Sequence, residues 1–295
     1  MSHRALATLI GLTAILMWAA LGLMTAASGR LPAFQMNAMA FGISGVVACA
    51  WLAATGRLAV LRQPAKVWAL GVGGLFGFHA LYFTSLRLAP PVEANLVNYL
   101  WPLLIVVFSG LLPGERLKPH HVIGALLGLL GAAVIVTRGE SLHIDPAHVG
   151  GYLAAIGSAL TWAGYSILSR RLGAVPTATV AGFCLATALL SVPCHLAFEE
   201  TVWPRGALQW VAIVGLGLFP VGLAFFVWDH GVKRGDIQVL GAASYLSPLL
   251  STLLLILAGW GAFTAPVGFA AVAITLGAMI ASKDLLIRRR PSVEP

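Results

Sequence analysis

The sequence predicts an all-α integral membrane protein with ten transmembrane helices, arranged as two inverted repeats of five helices. Three observations support this prediction. The chain is 59% hydrophobic and 9% charged, its apolar runs are close to the 20 residues that cross a bilayer, and one sequence pattern recurs in both halves. A soluble domain carries about 25% charged residues. The outer surface of this chain must therefore contact the lipid bilayer.

Ten apolar runs predict the ten helices. Lipid offers no partner for backbone polar groups, so each run must satisfy its own hydrogen bonds as a helix. Glycine, proline and charged residues mark the turns between runs, as in Pro113–Arg116 and Lys233–Asp236. The runs cover residues 5–27, 35–55, 67–88, 92–112, 119–137, 147–169, 177–198, 208–230, 236–258 and 266–287.

The basic residues divide unequally between the two sides of the predicted bundle. The formal net charge is +8, but most basic residues lie in loops, where they set orientation, so we expect no nucleic-acid partner. The sequence has 18 Lys and Arg residues. Four of them lie on one side of the predicted bundle, namely Arg30, Arg87, Arg138 and Arg205. The other side, with both termini, is predicted to be cytoplasmic and carries Arg4, Arg57, Arg62, Lys66, Arg116, Lys118, Arg170, Arg171, Lys233, Arg234, Lys283, Arg288, Arg289 and Arg290.

An internal repeat divides the chain into residues 1–140 and residues 141–295. Tyr99–Leu104 and Tyr245–Leu250 agree at five of six positions, and Trp18 in helix 1 corresponds to Trp162 in helix 6. Five helices per half place the two repeats in opposite orientations. Inverted repeats of this kind are typical of secondary transporters, in which one half rocks against the other around a central site.

Three prolines fall inside predicted helices. Pro102 and Pro248 occupy corresponding positions of helices 4 and 9, and Pro220 lies within helix 8. Each proline removes a backbone hydrogen bond and leaves a carbonyl free. We interpret them as hinges or kinks beside a binding site, with simple packing kinks as the alternative. The pairs Gly73-x3-Gly77 and Gly124-x3-Gly128 predict close helix packing.

Several segments together resemble a known family. The ten-helix drug/metabolite transporter superfamily of the EamA type is similar to this chain over essentially its whole length. Within that superfamily, Asn98–Pro102 is similar to the aromatic amino-acid exporters. The segments that carry the resemblance are Trp18–Ala20, Leu81–Arg87, Glu93–Pro102, Gly124–Gly131 and Trp162–Tyr165.

The resemblance implies a central cavity and alternating access in a bacterial inner membrane. The expected function is secondary transport that exports small, neutral, amphipathic metabolites, among them amino acids with aromatic side chains. A channel or facilitator for other neutral metabolites is the alternative. The sequence leaves open the exact substrate, proton coupling, the direction of net transport and the oligomeric state, and it is compatible with a monomer.

Polar and aromatic residues at membrane depth are the candidate substrate-binding residues, because such groups tend to face a cavity. His79 is either a substrate partner or proton carrier, or a neutral ring bonded to a carbonyl. Asparagine amides donate and accept without a buried charge, and aromatic rings supply rigid walls. The candidates are His79, Tyr82, Asn95, Asn98, Tyr99, Trp101, Trp18, Trp162, Tyr165 and Tyr245.

The charged residues near these candidates are interpreted as interfacial. Glu93 begins helix 4, where a carboxylate is favoured by the helix dipole. Asp229 and His230 lie at the cytoplasmic end of helix 8, with a gate as the alternative. No buried Arg or Lys is expected to pair a multiply charged solute, which favours a net-neutral one.

Enzyme chemistry is the rival class of function. Gly42–Gly45 matches the G-x-S-G of rhomboid-type serine proteases, with Ser44 as nucleophile, and would need a histidine within reach. The sequence contains no H-E-x-x-H zinc motif and no Walker A motif. We therefore expect no enzymatic activity, no metal and no cofactor.

Overall fold

The computed structural model describes residues 2–141, 145–259 and 262–286. These residues form helices joined by short loops, and none of them lies in a β-strand. The predicted cytoplasmic residues Arg288, Arg289 and Arg290 lie outside the described part. The main helices are α1 (His3–Ala27), α2 (Ala33–Ala54), α3 (Ala65–Leu88), α4 (Pro91–Ser109), α5 (Pro119–Thr137), α6 (Val149–Arg171), α7 (Thr177–Phe198), α8 (Ala207–Arg234), α9 (Ile237–Leu257) and α10 (Ala265–Ala281). Leu58–Leu61 forms a 3-10 helix and Lys283–Leu286 a short helix after α10.

Eight of these helices are long and apolar enough to cross a membrane, namely α1 to α5 and α7 to α9. The α10 helix is apolar but shorter, with 17 residues. The 23-residue α6 is more polar because it contains several serines. Two of them, Ser158 and Ser166, are buried against other helices and do not face lipid. The predicted all-α fold of ten membrane helices is confirmed.

The outer surface of the bundle is apolar. Leucine side chains as exposed as Leu111, Leu196 and Leu257 project outward from different parts of the bundle. An apolar surface of this extent would be unfavourable in water and suits contact with lipid acyl chains. The polar side chains, by contrast, are concentrated between helices and at the two ends of the bundle.

Helices of the first half pack against helices of the second half. The most extensive contacts are α5 with α10, α2 with α7, α3 with α6, and α1 with α8. If helix n corresponds to helix n+5, the first two pairs map onto themselves. The pairs α1–α8 and α3–α6 exchange with each other. This arrangement is what an approximate two-fold axis between inverted halves produces.

The two predicted glycine pairs behave differently. A Cβ added to Gly124 would lie 2.5 Å from the backbone oxygen of Gly277, so the absence of a side chain lets α5 and α10 touch. Around Gly73 there is open space, and Gly77 faces only Thr161 at 3.6 Å. The prediction of close packing at Gly73-x3-Gly77 is therefore wrong.

Two helices are interrupted near the predicted prolines. The first part of α4 ends at Asn98, four residues before Pro102, and the first part of α9 ends at Ala243, five residues before Pro248. A proline ring clashes with the carbonyl four residues earlier and has no N–H to donate, so a helix breaks about one turn before it. Pro220 lies in a π-helical segment, Phe219–Leu223, inside α8.

Candidate functional site

A cavity of about 740 Å³ lies between α1, α2, α3, α4, α6, α8 and α9. It occupies the half of the bundle that ends at Arg30 and Arg87, and its lining reaches the neighbouring residues Leu31 and Leu86. Its volume falls within the about 300–1,000 Å³ of small-molecule sites. The predicted site residues that line it are Trp18, His79, Tyr82, Asn95, Asn98, Tyr99, Trp101 and Trp162.

The floor of the cavity is a cluster of aromatic rings. The ring centroid of Trp18 lies 6.1 Å from that of Trp101, 5.9 Å from that of Trp162 and 5.1 Å from that of Trp228. Phe225 joins the cluster at 5.6 Å from Trp162. Neither Trp228 nor Phe225 is among the residues predicted from the sequence, although the two lie about one helical turn apart on α8. Such edge-to-face packing gives the floor a rigid apolar surface.

The His79 side chain is bonded to a backbone carbonyl, as one of its two interpretations predicts, and it also lines the cavity. Its Nδ1 lies 2.7 Å from the carbonyl oxygen of Leu75, and a carbonyl can only accept. Nδ1 therefore carries the proton, and in the neutral ring Nε2 is an acceptor. Phe41 and Phe78 hold the imidazole edge-on, each at 5.0 Å between ring centroids. A fixed acceptor thus lies in an aromatic section of the cavity wall.

Two asparagines on α4 have their amide oxygens occupied. Asn98 Oδ1 accepts from Ser158 at 2.6 Å, and Asn95 Oδ1 accepts from the Tyr82 hydroxyl at 3.0 Å. Neither NH₂ group donates to another of the described residues, so both are available as donors. On α2 the polarity is reversed, because Asn37 Nδ2 donates to Ser191 at 2.7 Å and leaves Oδ1 as an acceptor. The described cavity lining offers both donors and acceptors but contains no Asp, Glu, Lys or Arg.

Tyr245 lies outside the cavity. Its side chain is fully buried, and its hydroxyl accepts from the backbone N–H of Leu103 at 3.2 Å and donates to the carbonyl of Tyr99 at 3.0 Å. Leu103 and Tyr99 are four residues apart, so a regular helix would join them directly. The Tyr245 hydroxyl is therefore inserted into the hydrogen-bond ladder of α4 at its break.

Tyr165 also lies outside the cavity, one layer behind its floor. The ring of Tyr165 lies 5.2 Å from that of Trp162, and it fills the space beside Gly74 of α3. Its other side faces a small separate void at the opposite end of the bundle. Tyr165 thus forms part of the partition between the two spaces.

The π-helical segment of α8 is tied to the cavity floor. The indole Nε1 of Trp18 donates to the carbonyl of Pro220 at 3.1 Å. A π-bulge releases backbone carbonyls from the regular ladder, and such bulges are frequent at functional sites. The carbonyl of Pro220 itself is thus bonded by a tryptophan of the other half.

Ion pairs close the end of the bundle opposite the cavity, which we call the basic end. Glu115, whose side chain is 6% exposed, accepts from Arg4 at 2.9 Å and also from Arg170. Arg4 also pairs with Asp236 at 3.0 Å. Arg170 donates further to the carbonyls of Val232 and Gly235. This network joins α1, α6 and the α4–α5 and α8–α9 loops, a closure that loop charge counting alone did not predict.

Asp229 lies near the basic end of α8, and its side chain is buried against neighbouring helices. It is 2% exposed, and its carboxylate accepts from Lys233 at 2.8 Å and from Thr177 at 2.6 Å. The Lys233 side chain is 6% exposed, so a lysine is buried here, but it is paired with Asp229 and does not line the cavity. Glu93 lies in the first turn of α4, as expected, and accepts from the Tyr152 hydroxyl.

One group of residues could in principle hold a metal ion. The ligand atoms of His120, His121 and Asp284 lie within 4.8 Å of one another. Lys118 already donates to Asp284 and lowers the pKa of its carboxyl. The Nδ1 atom of His121 accepts from the Lys118 backbone N–H at 3.2 Å, which places the neutral ring's proton on the Nε2 that faces Asp284. The group therefore fits a helix-end charge cluster better than a metal site.

Ser44, the candidate protease nucleophile, is buried in α2 beside Gly222 of the π-helical segment. None of the histidines in the described residues forms a hydrogen bond with it. The geometry of a serine activated by a histidine is thus not present there.

Comparison with known proteins identifies the family. The model of the EamA-like transporter family matches the chain twice, over residues 5–137 and 149–283. The chain belongs to the EamA-like transporter family. It is 54% identical to the aromatic amino acid exporter YddG of Ancylobacter novellus, covering 97% of this chain and 99% of the relative. It is 28% identical to the protein of that name from Escherichia coli (strain K12), covering 84% and 87%.

The fold of this EamA-like transporter also matches a solved crystal structure. The two chains are 53% identical, superpose with a TM-score of 0.90, and align over 97% of this chain and 100% of the other. The resemblance recognised from the sequence is confirmed, and the protein is a multi-pass membrane transporter. Its cavity and its closed basic end are the two features from which a mechanism can be built.

Proposed function

We propose that this transporter exports small, net-neutral, amphipathic metabolites, including amino acids with aromatic side chains, by alternating access through the cavity. The observation that carries the proposal is the composition of the cavity, which joins an aromatic floor to uncharged donors and acceptors in about 740 Å³. Two relatives named as aromatic amino acid exporters support the same substrate class.

The cavity is chemically complementary to a zwitterion with an apolar side chain. The amide NH₂ groups of Asn95 and Asn98 suit a carboxylate, while His79 Nε2 and Asn37 Oδ1 suit an ammonium group. An aromatic side chain would rest on the tryptophan floor, where ring faces also attract cations. A phosphorylated metabolite fits poorly because the described lining holds no Lys or Arg.

We assign different roles to the predicted site residues. Those that line the cavity contact the substrate. Tyr165 supports the floor from behind, and Tyr245 holds the break in α4 where Tyr99 and Pro102 lie. The breaks beside Pro102, Pro248 and Pro220 are the hinges about which the cavity changes shape, in keeping with discontinuous helices at transporter sites.

We further propose that the basic end is cytoplasmic, with both termini on that side of a bacterial inner membrane. The excess of Lys and Arg at that end supports this orientation. The structure then corresponds to an outward-facing state, closed on the cytoplasmic side by the Glu115 ion pairs. Residues 1–140 and 141–295 are the two rocking halves, a division supported by the twofold family match and the exchange of helix pairs.

A channel or facilitator for other neutral metabolites is the second candidate. A channel needs a continuous path, whereas hydrogen-bonded ion pairs occupy the basic end of this bundle. This observation favours a carrier that opens one end at a time.

Counterflow in proteoliposomes tests the proposed function. Purified protein is reconstituted with unlabelled amino acid inside, and labelled threonine, methionine or phenylalanine is offered outside, with empty liposomes as the control. We expect saturable, transient accumulation that depends on the internal amino acid. Accumulation of none of the three by folded protein would overturn the amino-acid assignment, and uptake that neither saturates nor depends on the internal amino acid would overturn the carrier.

A further inference from the structure

A second, much smaller void lies at the basic end of the bundle. Its volume is about 10 Å³, enough for roughly one water molecule. Its polar lining comes from Tyr165 and Ser169 of α6 and from Asp229 and Lys233 of α8. Trp162 and Tyr165, one turn apart on α6, separate this void from the floor of the cavity. The void therefore lies on the line between the cavity and the cytoplasmic side.

The two charged residues of this void form a buried ion pair. Lys233 Nζ donates to Asp229 Oδ2 at 2.8 Å and to the carbonyl of Val175 at 2.9 Å. The two side chains are 6% and 2% exposed. Taking both charges out of water is costly, and a buried pair is often replaceable by apolar residues without loss of stability. The cost points to a function other than stability.

The pair also has unused hydrogen-bonding capacity. Thr177 and Lys233 both bind Oδ2 of Asp229, and Oδ1 accepts no hydrogen bond from the described residues. The Lys233 ammonium has three donors and uses two of them within the described part of the chain. One acceptor and one donor, of opposite charge, thus remain within one small space.

We propose that Asp229 and Lys233 form a cytoplasmic-side binding site for a zwitterionic amino acid, an inference that rests on the proposed function. Lys233 binds the substrate carboxylate and Asp229 binds the substrate ammonium group when the basic end opens. The single ion pair between the two residues is then replaced by two ion pairs with the ligand. No charge is left buried without a partner, and the net charge of the site stays zero.

The structure also explains how such a site works with the uncharged cavity. A ligand that lacks one of its two charges leaves either Asp229 or Lys233 unpaired in a buried position, which is strongly unfavourable. A site built to pair two groups rejects analogues that lack one of them. The cytoplasmic site therefore selects zwitterions, whereas the cavity holds them only through uncharged groups and suits their release.

Competition at the cytoplasmic face of wild-type protein is the first test. Inside-out membrane vesicles take up the labelled amino acid that performs best in counterflow, with its unlabelled form, its amide and its deaminated acid as competitors. We expect the intact amino acid to compete at least about tenfold better than either single-charge analogue. Equal competition by all three would overturn the inference, whereas no labelled uptake at all would overturn the proposed function instead.

Variants that remove one charge then test which ligand group each of the two residues binds. In Lys233→Gln we expect the preference for the amino acid over its amide to be lost while the preference over the deaminated acid remains. In Asp229→Asn we expect the preference over the deaminated acid to be lost while the preference over the amide remains. Arg234→Gln, at the exposed next position of α8, is the matched control and keeps both preferences. Equal loss of uptake for all ligands with both preferences unchanged would mean that the pair only supports the fold.

A charge swap keeps the test informative if the single variants fold poorly. Asp229→Lys combined with Lys233→Asp retains a pair at the same two positions. We expect this double variant to recover selectivity for the zwitterion, because the ligand can bind in the reversed orientation. A folded double variant that transports the amide as well as the amino acid would contradict the inference.

Discussion

The α4 and α9 helices carry the two copies of the Tyr-Leu-x-Pro-Leu-Leu motif, and in both copies the tyrosine lies at the break of the helix. In α4, Tyr99 lines the cavity, and its hydroxyl has no hydrogen-bond partner among the described residues. In α9, Tyr245 points the other way, is fully buried, and bonds both sides of the α4 break. Equivalent residues of the two repeats thus have different roles.

The difference shows how a repeated scaffold acquires a one-sided binding site. The Tyr245 hydroxyl bonds the Leu103 N–H and the Tyr99 carbonyl, two α4 groups that a regular helix would bond to each other. The α4 break can therefore stay open beside the cavity without leaving buried polar groups unpaired, which would cost about 1–3 kcal/mol each. One repeat provides the contact surface, and the other provides the support behind it.

Removing the whole Tyr245 side chain should have the largest effect on stability. Tyr245→Ala leaves a large void beside α5 and two unpaired backbone groups in α4. We expect the free energy of unfolding to fall by about 3–5 kcal/mol. Unfolding by sodium dodecyl sulfate in mixed micelles, followed by tryptophan fluorescence, measures it. A loss as small as that of Tyr99→Ala would show that the two tyrosines are equivalent after all.

Crowding Tyr245 should have the next largest effect. A Cβ added to Gly128 would lie 2.4 Å from Cδ2 of Tyr245, so Gly128→Ala must displace a ring with no free space. We expect the free energy of unfolding to fall by about 1–3 kcal/mol, measured by the same sodium dodecyl sulfate titration. Gly73→Ala is the matched control, since its Cβ meets open space. A Gly128→Ala variant as stable as this control would contradict the close contact.

Removing only the Tyr245 hydroxyl separates the contribution of its hydrogen bonds to stability from the contribution of ring packing. In Tyr245→Phe the ring remains, and Leu103 and Tyr99 can partly re-form a direct bond. We therefore expect a loss of about 1 kcal/mol. Tyr99→Phe should change stability by less than about 0.5 kcal/mol, because that hydroxyl faces the cavity. Equal losses for the two phenylalanine variants would refute the insertion of the Tyr245 hydroxyl into the α4 ladder.

A small stability change, but a large functional one, is expected for Tyr99→Ala. This residue is partly exposed in the cavity and makes no side-chain hydrogen bond with the described residues. The ring also packs against a core cluster, so we expect the free energy of unfolding to fall by about 1 kcal/mol and kcat/KM for amino-acid counterflow to fall at least about tenfold. Trp101→Ala should lower both quantities, because Trp101 is 7% exposed within the floor cluster. Normal transport by Tyr99→Ala would remove this residue from the site.

The sequence predicted the helices and much of the cavity because both depend on local patterns. The long apolar runs fix where the chain crosses the membrane. The spacing of His79 and Tyr82, and of Asn95, Asn98 and Tyr99, places each set on one side of its helix. When the helices pack together, these side chains line the same cavity.

What the sequence could not predict is the rotation of each helix about its own axis. A helix that is apolar all round does not show which face meets a neighbour. The same glycine spacing therefore forms a close contact at Gly124 and none at Gly73, and equivalent tyrosines face opposite ways. The pairing of Glu115 with Arg170, 55 residues apart, and the burial of Lys233 depend on how the helix ends assemble, which loop charges do not reveal.

The cluster of Trp18, Trp101, Trp162 and Trp228 has an optical consequence. Indole rings whose centroids are 5.1–6.3 Å apart have strongly coupled electronic transitions. Such rings produce paired circular-dichroism bands of opposite sign and exchange excitation energy before they emit. A molecule resting on these rings changes their mutual angles and their dielectric surroundings together. The protein thus carries its own chromophore for reporting the occupancy of its cavity.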